Sequence, residues 1–245
     1  MNLVQKIDNR LSPDDCIPVW KAMIRAASER SDIVRMSNGQ QDAHEGLMII
    51  LDQLDNLPEI KRLFEYRQRI MIYCNECKEY TVDHYEQNTV FEVQPDLRNE
   101  QLYEFKDMDS QYNRTMDLND FLIKQNSYVD KDFRCPKCQL TGYKFKTVVL
   151  TMIPEILVVL IKKYNNKQLT NFPLELTFNA KNNNILKYKL VAQSEHSGNM
   201  SGGHYWAICL RRDNQWYQLN DQGVSLGQPG PTANTYILFY HYALN

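Results

Sequence analysis

The sequence lacks an apolar run long enough to cross a membrane, and it lacks a marked excess of charge of either sign. Its longest apolar stretch is the hexapeptide 156–161, whereas a membrane-spanning helix needs about 20 such residues. A run of this length suits a buried strand instead. The formal net charge is −2 over 245 residues, which gives no attraction to nucleic acid or to an acidic membrane surface. We therefore expect neither nucleic acid nor a membrane as a partner.

The chain also lacks the marks of a secreted or modular protein. Residues 1–11 contain no apolar run that could serve as a secretory signal. There is no internal repeat, low-complexity tract or Gly/Ser-rich linker. We expect a single domain over residues 1–245, located inside the cell in the cytoplasm or nucleus. In such a reducing setting, paired cysteines are more often metal ligands than disulfides.

Cysteine is scarce, but its placement is regular. Four of the six cysteines form two Cys-x-x-Cys pairs, Cys74 with Cys77 and Cys135 with Cys138. Two such turns can place four thiolates around one Zn²⁺ at about 2.3 Å each. The intervening stretch 78–134 is too long for a compact zinc ribbon and fits two hairpin tips that meet at the end of an extension. We expect one structural zinc; two unrelated surface turns or reversible disulfides are the alternatives.

The order of the periodic patterns predicts an α+β fold with helices first and an antiparallel sheet last. Residues 12–15 read as a helix start, and residues 40–45 open a second helix. Seven strand patterns follow in the last hundred residues, which implies a largely antiparallel sheet. The strands are predicted at 144–151, 155–162, 174–178, 188–194, 204–210, 216–219 and 236–242. We divide the domain into a helical part (1–68), a cysteine-bearing extension (69–150) and a sheet (151–245).

One histidine has the surroundings of a catalytic base. His204 follows Gly202 and Gly203, and glycines let the backbone lie close to an extended ligand. A turn at 212–214 would bring Asn220, on the next strand, beside His204. An Asn next to a His fixes its tautomer and aims the imidazole at a thiol. A structural histidine among aromatic residues is the alternative.

Six segments in the same order resemble the ubiquitin-specific protease family of cysteine deubiquitinases, peptidase C19. They are 11–15 with 40–45, the two cysteine pairs, 153–160, 188–196 with 202–205, 216–224 and 236–240. The resemblance implies a papain-like fold of thumb, palm and zinc-bearing fingers. It also implies ubiquitin or a ubiquitin-like protein as the partner.

The resemblance assigns roles to residues of this chain. His204 is the implied base, Asn220 orients it, and Asp221 is a secondary polar contributor. The implied ubiquitin contacts are Gln40 and Asp42, together with a channel for the ubiquitin C-terminal tail that is lined by Gly202, Gly203 and Tyr205.

This sequence departs from the family pattern mainly at the nucleophile. The family carries it in an Asn-x-Gly-Asn-Thr-Cys box at a helix N-terminus, where a thiol pKa is lowered, and this sequence has no such box. Cys16 lies near a helix start, but in the later Ser-Pro-Asp-Asp helix. Cys209 is expected to be buried in a strand next to that of His204. Gly46 replaces the family's usual Phe after Glu45.

These features favour a pseudo-protease, a module that binds ubiquitin or another protein without hydrolysing it. A protein partner covering the region of the missing box is part of this hypothesis. The alternative is an active deubiquitinase whose nucleophile is Cys16 or comes from a segment outside this chain. A zinc-stabilised scaffold that no longer binds ubiquitin is a third interpretation.

Overall fold

The computed structural model describes residues 42–93, 116–117, 127–130, 133–141, 144–162, 170–179, 185–199 and 202–243. The predicted helix at 12–15 and two candidate functional residues, Cys16 and Gln40, lie outside these ranges. Within them, no helix combines the length and apolar character needed to cross a membrane.

The described residues form two helices and fourteen strands. The helices are α1 (Ala43–Gln53) and α2 (Pro58–Phe64). The strands are β1 (Tyr66–Cys74), β2 (Glu79–Asn88), β3 (Val90–Val93), β4 (Met116–Asp117), β5 (Ser127–Asp130), β6 (Lys144–Met152), β7 (Ile156–Ile161), β8 (Thr170–Asn171), β9 (Glu175–Asn179), β10 (Ile185–Asn199), β11 (Gly202–Leu210), β12 (Trp216–Asn220), β13 (Gly223–Leu226) and β14 (Thr235–Tyr242).

Four antiparallel strands form the extension that carries the cysteines. Their order is β2-β1-β6-β5, and β1 and β2 make a hairpin whose turn begins at Cys74. The segment 133–141 precedes β6 and holds the second cysteine pair. The two pairs therefore meet at one end of this sheet, as their separation predicts.

The larger sheet has eight strands, in the order β13-β12-β11-β10-β14-β7-β3, with β9 also paired to β10. All its pairings are antiparallel except that of β3 with β7, which is parallel. β4 and β8 form a separate parallel pair. This architecture confirms the predicted antiparallel sheet in the second half of the chain.

The strand β7 is buried on both sides, which accounts for its continuous apolar sequence. Val158 and Leu160 pack with Ile237 on the side covered by α1, through Ala43 and Leu47. On the other side Leu157, Val159 and Ile161 pack with Leu238 and Tyr240. We call these two sides of the large sheet the α1 face and the opposite face.

Candidate functional site

The four paired cysteines converge on one point. The Sγ atoms of Cys74 and Cys138 lie 3.9 Å apart, and those of Cys77 and Cys135 lie 3.7 Å apart. All four sulfur atoms fall within 4.8 Å of one another. A zinc tetrahedron with bonds of about 2.3 Å has edges of about 3.8 Å, whereas a disulfide bond is about 2.05 Å. The arrangement can therefore hold a metal ion, and it is not a pair of disulfides.

Both cysteine pairs lie in the same kind of turn. The Lys78 N–H donates to the Cys74 carbonyl at 2.9 Å, and the Gln139 N–H donates to the Cys135 carbonyl at 2.9 Å. Lys78 and Gln139 have φ values of 59° and 61°, so each turn closes with a left-handed residue directly after its second cysteine. This bend turns both sulfur atoms of a pair to one side of the chain.

Two side-chain contacts hold the cysteine turns in place. Lys137, inside the second pair, makes an ion pair with Glu79 at the start of β2. Arg134 donates through Nε to the carbonyl oxygen of Gln139 at 2.9 Å. The first contact joins one turn to the other, and the second closes the loop around Cys135 and Cys138.

The predicted histidine pair forms at the exposed end of β11. Nε2 of His204 lies 2.6 Å from Oδ1 of Asn220, as the sequence interpretation requires. The two strands are joined at the predicted turn, where the Asn214 N–H donates to the Arg211 carbonyl and Asn214 has φ 60°. Because an amide oxygen only accepts, Nε2 is the hydrogen-bond donor in this pair, and Nδ1 lies on the other side of the ring.

The alternation of β11 separates two of the predicted site residues. His204 and Trp206 lie on the opposite face, with their rings 5.9 Å apart and inclined by 24°. Tyr205 lies on the α1 face, because its strand neighbour Ala207 pairs with Ser194, which in turn pairs with Ile237. A ligand that contacts both His204 and Tyr205 must therefore cross the end of the strand.

The two predicted glycines lie on the rim formed by the ends of β10 and β11. Gly202 pairs with Asn199, and Gly203 pairs with Gly198. A Cβ atom on Gly203 would overlap Nε2 of His196 and the carbonyl oxygen of Ser197. The glycine at 203 is therefore a steric requirement, and it keeps the backbone beside His204 bare.

Asp42 caps α1 and also contacts the last strand. Its Oδ1 accepts the backbone N–H groups of His44 at 2.7 Å and Glu45 at 3.3 Å, and its Oδ2 accepts the Tyr236 hydroxyl at 2.7 Å. Burial raises the pKa of Tyr205, and the Asp42 charge raises it further, while a hydrogen bond with the Ala43 backbone opposes both. Asp42 and Tyr205 are thus neighbours on the α1 face.

Asp221 lies at the exposed turn between β12 and β13, where its φ of 50° is left-handed. Its secondary role beside His204 stays a prediction.

Cys209 corrects one expectation from the sequence. It lies on β11, the same strand as His204, and it is only half-buried. Five residues along a strand span about 17 Å, and an odd separation places the two side chains on opposite faces. Burial raises the pKa of the Cys209 thiol. Cys209 is therefore excluded as the partner of His204, because it lies on the other face of the sheet and its raised pKa disfavours the thiolate.

Sequence reasoning missed a buried polar cluster on the opposite face. Gln193 and Glu195 are each about 1% exposed. The Gln193 amide donates to Glu195 Oε1 at 2.7 Å and exchanges hydrogen bonds with the backbone of Gly230 at 3.0 and 3.1 Å. The Thr232 hydroxyl donates to Glu195 Oε2. Polar residues at alternate positions of a strand were the available signal for this cluster, which holds the loop 227–234 against β10.

The chain matches the family described as "Ubiquitin carboxyl-terminal hydrolase" over residues 3–240. Ubiquitin carboxyl-terminal hydrolase 9 of Arabidopsis thaliana is 33% identical over 139 residues, which cover 50% of this chain and 15% of that relative. Ubiquitin carboxyl-terminal hydrolase 15 of Homo sapiens is 29% identical over 137 residues, covering 49% of this chain and 14% of that relative. The chain thus spans only a small part of the length of these relatives.

Solved structures with the same fold include two SAGA DUB modules. One, of Ubp8, Sgf11, Sus1 and Sgf73 bound to monoubiquitin, matches with a TM-score of 0.62 and 21% identity, covering 84% of this chain and 49% of that one. Another, from yeast, matches with a TM-score of 0.63 and 20% identity, covering 83% and 51%. These matches confirm the predicted α+β, papain-like fold.

Proposed function

Because this chain belongs to the ubiquitin carboxyl-terminal hydrolase family, we propose that it binds the C-terminal tail of ubiquitin or a ubiquitin-like protein, and that as a lone polypeptide it is a pseudo-protease. The family assignment rests on the match over residues 3–240. The observation that carries the function is the exposed His204–Asn220 pair at 2.6 Å, beside the bare backbone of Gly202 and Gly203.

The tail is proposed to lie across the end of β11. Gly202 and Gly203 leave room for an extended peptide, with Tyr205 and Asp42 on one side of the strand and His204 on the other. Gln40 is proposed as a further ubiquitin contact, although it lies outside the described residues. A peptide placed here would bring its carboxyl end to Nδ1 of His204.

The absence of hydrolysis is proposed from the thiols. Among the residues that the structure describes, four of the five cysteines belong to the metal cluster, and Cys209 faces away from His204. A histidine–asparagine pair can accept a proton, but without a thiolate it cannot form an acyl-enzyme. The members of such a unit act together, so the loss of one removes most of the rate advantage.

Two further elements belong to this proposal. The ion held by the four cysteines is proposed to be a structural Zn²⁺, since four thiolates leave no position for a water molecule. A protein partner is proposed to cover the region where the family carries its cysteine box. The similar Ubp8 structure, which contains Sgf11, Sus1 and Sgf73, supports the idea of assembly with partners.

One observation favours an alternative, an active deubiquitinase. The His204–Asn220 geometry is that of a working base, and a protein that only binds has no chemical need for it. In this alternative the nucleophile is Cys16 or a cysteine from a segment outside this chain. A ubiquitin probe with an electrophilic C-terminus forms a covalent adduct only if such a thiolate is present.

The test combines binding and turnover. The proposal expects intact ubiquitin to bind more tightly than ubiquitin without its tail, and a fluorogenic ubiquitin substrate to remain uncleaved. His204→Ala should weaken binding of intact ubiquitin, whereas His241→Ala, a change at an exposed histidine on β14, should not. Turnover that is lost in both Cys16→Ala and His204→Ala would establish the active enzyme, and equal binding of the two ubiquitins would exclude tail recognition.

A further inference from the structure

Tyr236 connects the last strand of the large sheet to the start of the first described helix. Its hydroxyl donates to Oδ2 of Asp42 at 2.7 Å, across a separation of 194 residues. Tyr236 is half-buried, and its ring belongs to the packing between β14 and α1. This contact therefore fixes the Asp42 carboxylate relative to the sheet as well as to the helix.

Among the described residues, three hydrogen-bond donors meet the side-chain carboxylate of Asp42. A carboxylate offers about four lone-pair positions for hydrogen bonds. Oδ1 accepts from His44 and Glu45 at the helix N-terminus, and Oδ2 accepts from Tyr236. Described residues thus occupy three of these positions. The fourth, which no described residue occupies, lies on Oδ2, and its direction is set by the Tyr236 hydroxyl.

Packed rings link this position to the glycine rim. The rings of Tyr205 and Tyr236 lie 5.9 Å apart, and the ring of His196 stacks on Tyr205 at 4.3 Å with an angle of 18°. His196 fills the space that a side chain on Gly203 would need. The Asp42 carboxylate and the bare backbone next to His204 are therefore two ends of one packed cluster.

We propose that Tyr236 is a positioning residue for tail recognition: its hydroxyl orients Asp42 so that the remaining acceptor position receives an N–H donor from the ubiquitin or ubiquitin-like tail. This inference rests on the proposed function, since it names how that same site holds its ligand. The donor is a backbone amide or a cationic side chain of an extended peptide, because both carry N–H groups that can donate to an oriented carboxylate lone pair.

The test removes the hydroxyl and keeps the ring. Tyr236→Phe should weaken the binding of intact ubiquitin about fivefold to tenfold, because the freed carboxylate loses its orientation. Its binding of ubiquitin without the tail should stay unchanged. A purely structural role of Tyr236 would alter the binding of both forms equally, so the ratio of the two affinities distinguishes positioning from stability.

Tyr240→Phe is the matched control. It lies four residues along the same strand, and its hydroxyl donates to the Pro173 carbonyl at 2.8 Å, away from Asp42. Tyr236→Phe and Tyr240→Phe each remove only a phenolic hydroxyl. Tyr240→Phe should leave the affinity ratio of intact to tailless ubiquitin as it is in the unmodified chain.

A second variant secures the test if Tyr236→Phe does not fold. Asp42→Asn keeps a helix-capping side chain but replaces a carboxylate oxygen by an amide. It should lower the affinity ratio by a similar factor, and the double variant should lose no more than the stronger single one. If the unmodified chain shows no preference for intact ubiquitin, the proposed function fails. If it shows the preference and both variants retain it, the role of Tyr236 is refuted while the function stands.

Discussion

At the scale of the residue, Gly46 and Gly203 differ in whether the structure has room for a side chain. Gly46 lies inside α1, and a Cβ atom there would meet nothing within 4 Å. A glycine in a helix costs about 0.5–1 kcal/mol relative to alanine. Gly46→Ala should therefore raise the free energy of unfolding by about that amount, measured by urea denaturation.

Gly203→Ala is the contrasting change. Its Cβ would overlap the His196 ring and the Ser197 carbonyl, so the backbone must move at a cost of about 1–3 kcal/mol. We expect lower stability together with loss of the preference for intact ubiquitin. A Gly203→Ala protein that keeps both properties would contradict the described rim, and a destabilised Gly46→Ala would contradict the open surroundings of α1.

At the scale of the element, the buried polar cluster acts as a clamp on the loop 227–234. Glu195→Ala and Thr232→Val each remove one side of the same hydrogen bond. Their destabilisations should not add, and a double-mutant cycle should give a coupling free energy of about 1–3 kcal/mol in urea denaturation. Thr151→Val is the control, because its exposed hydroxyl donates to the Arg67 carbonyl at 3.2 Å and not to Glu195. Its effect on stability should add to that of Glu195→Ala. Additive effects of the first two changes would refute the clamp.

The elements differ in how far the sequence predicts them. Periodicity located α1 and seven of the nine described strands from residue 144 onward, since each of these repeats its pattern over several residues. It missed α2, whose seven residues bury no side chain, and β13, whose four residues are all exposed. Such elements are defined by their neighbours: α2 begins at Pro58 after a turn, and β13 exists because it pairs with β12. No apolar pattern of their own marks them.

At the scale of the whole molecule, the cysteine-bearing sheet and the histidine-bearing sheet should respond separately to metal. We expect about one zinc per chain by elemental analysis. Cys135→Ser should lower metal content and expose the amides of β1 and β2 to hydrogen exchange, while those of β10–β12 stay protected. Cys209→Ser, a thiol outside the cluster, should leave metal content unchanged. A folded protein without metal would refute the site.

The site shows where sequence reasoning reaches its limit. The cysteine turns and the His204–Asn220 pair could be predicted because short spacings and one hairpin bring their atoms together. The family resemblance, based on the order of six segments, is confirmed by the match over residues 3–240. The contact of Tyr236 with Asp42 joins residues 194 positions apart, and the placement of Tyr205 and His204 on different faces depends on the register with β10. Neither follows from local spacing.

The two cysteine turns also set an entropic cost for folding. A metal bound by all four sulfur atoms ties Cys77 to Cys135, which are 58 positions apart, and so requires the chain between them to close a loop. By polymer statistics, closing a loop of that span costs about 4 kcal/mol of chain entropy, which metal binding must offset. Doubling the loop changes the closure term by only about 0.6 kcal/mol. The closure term alone therefore sets little limit on the length of chain between the turns, and the strands β2, β3 and β5 within it set the limit through their pairings.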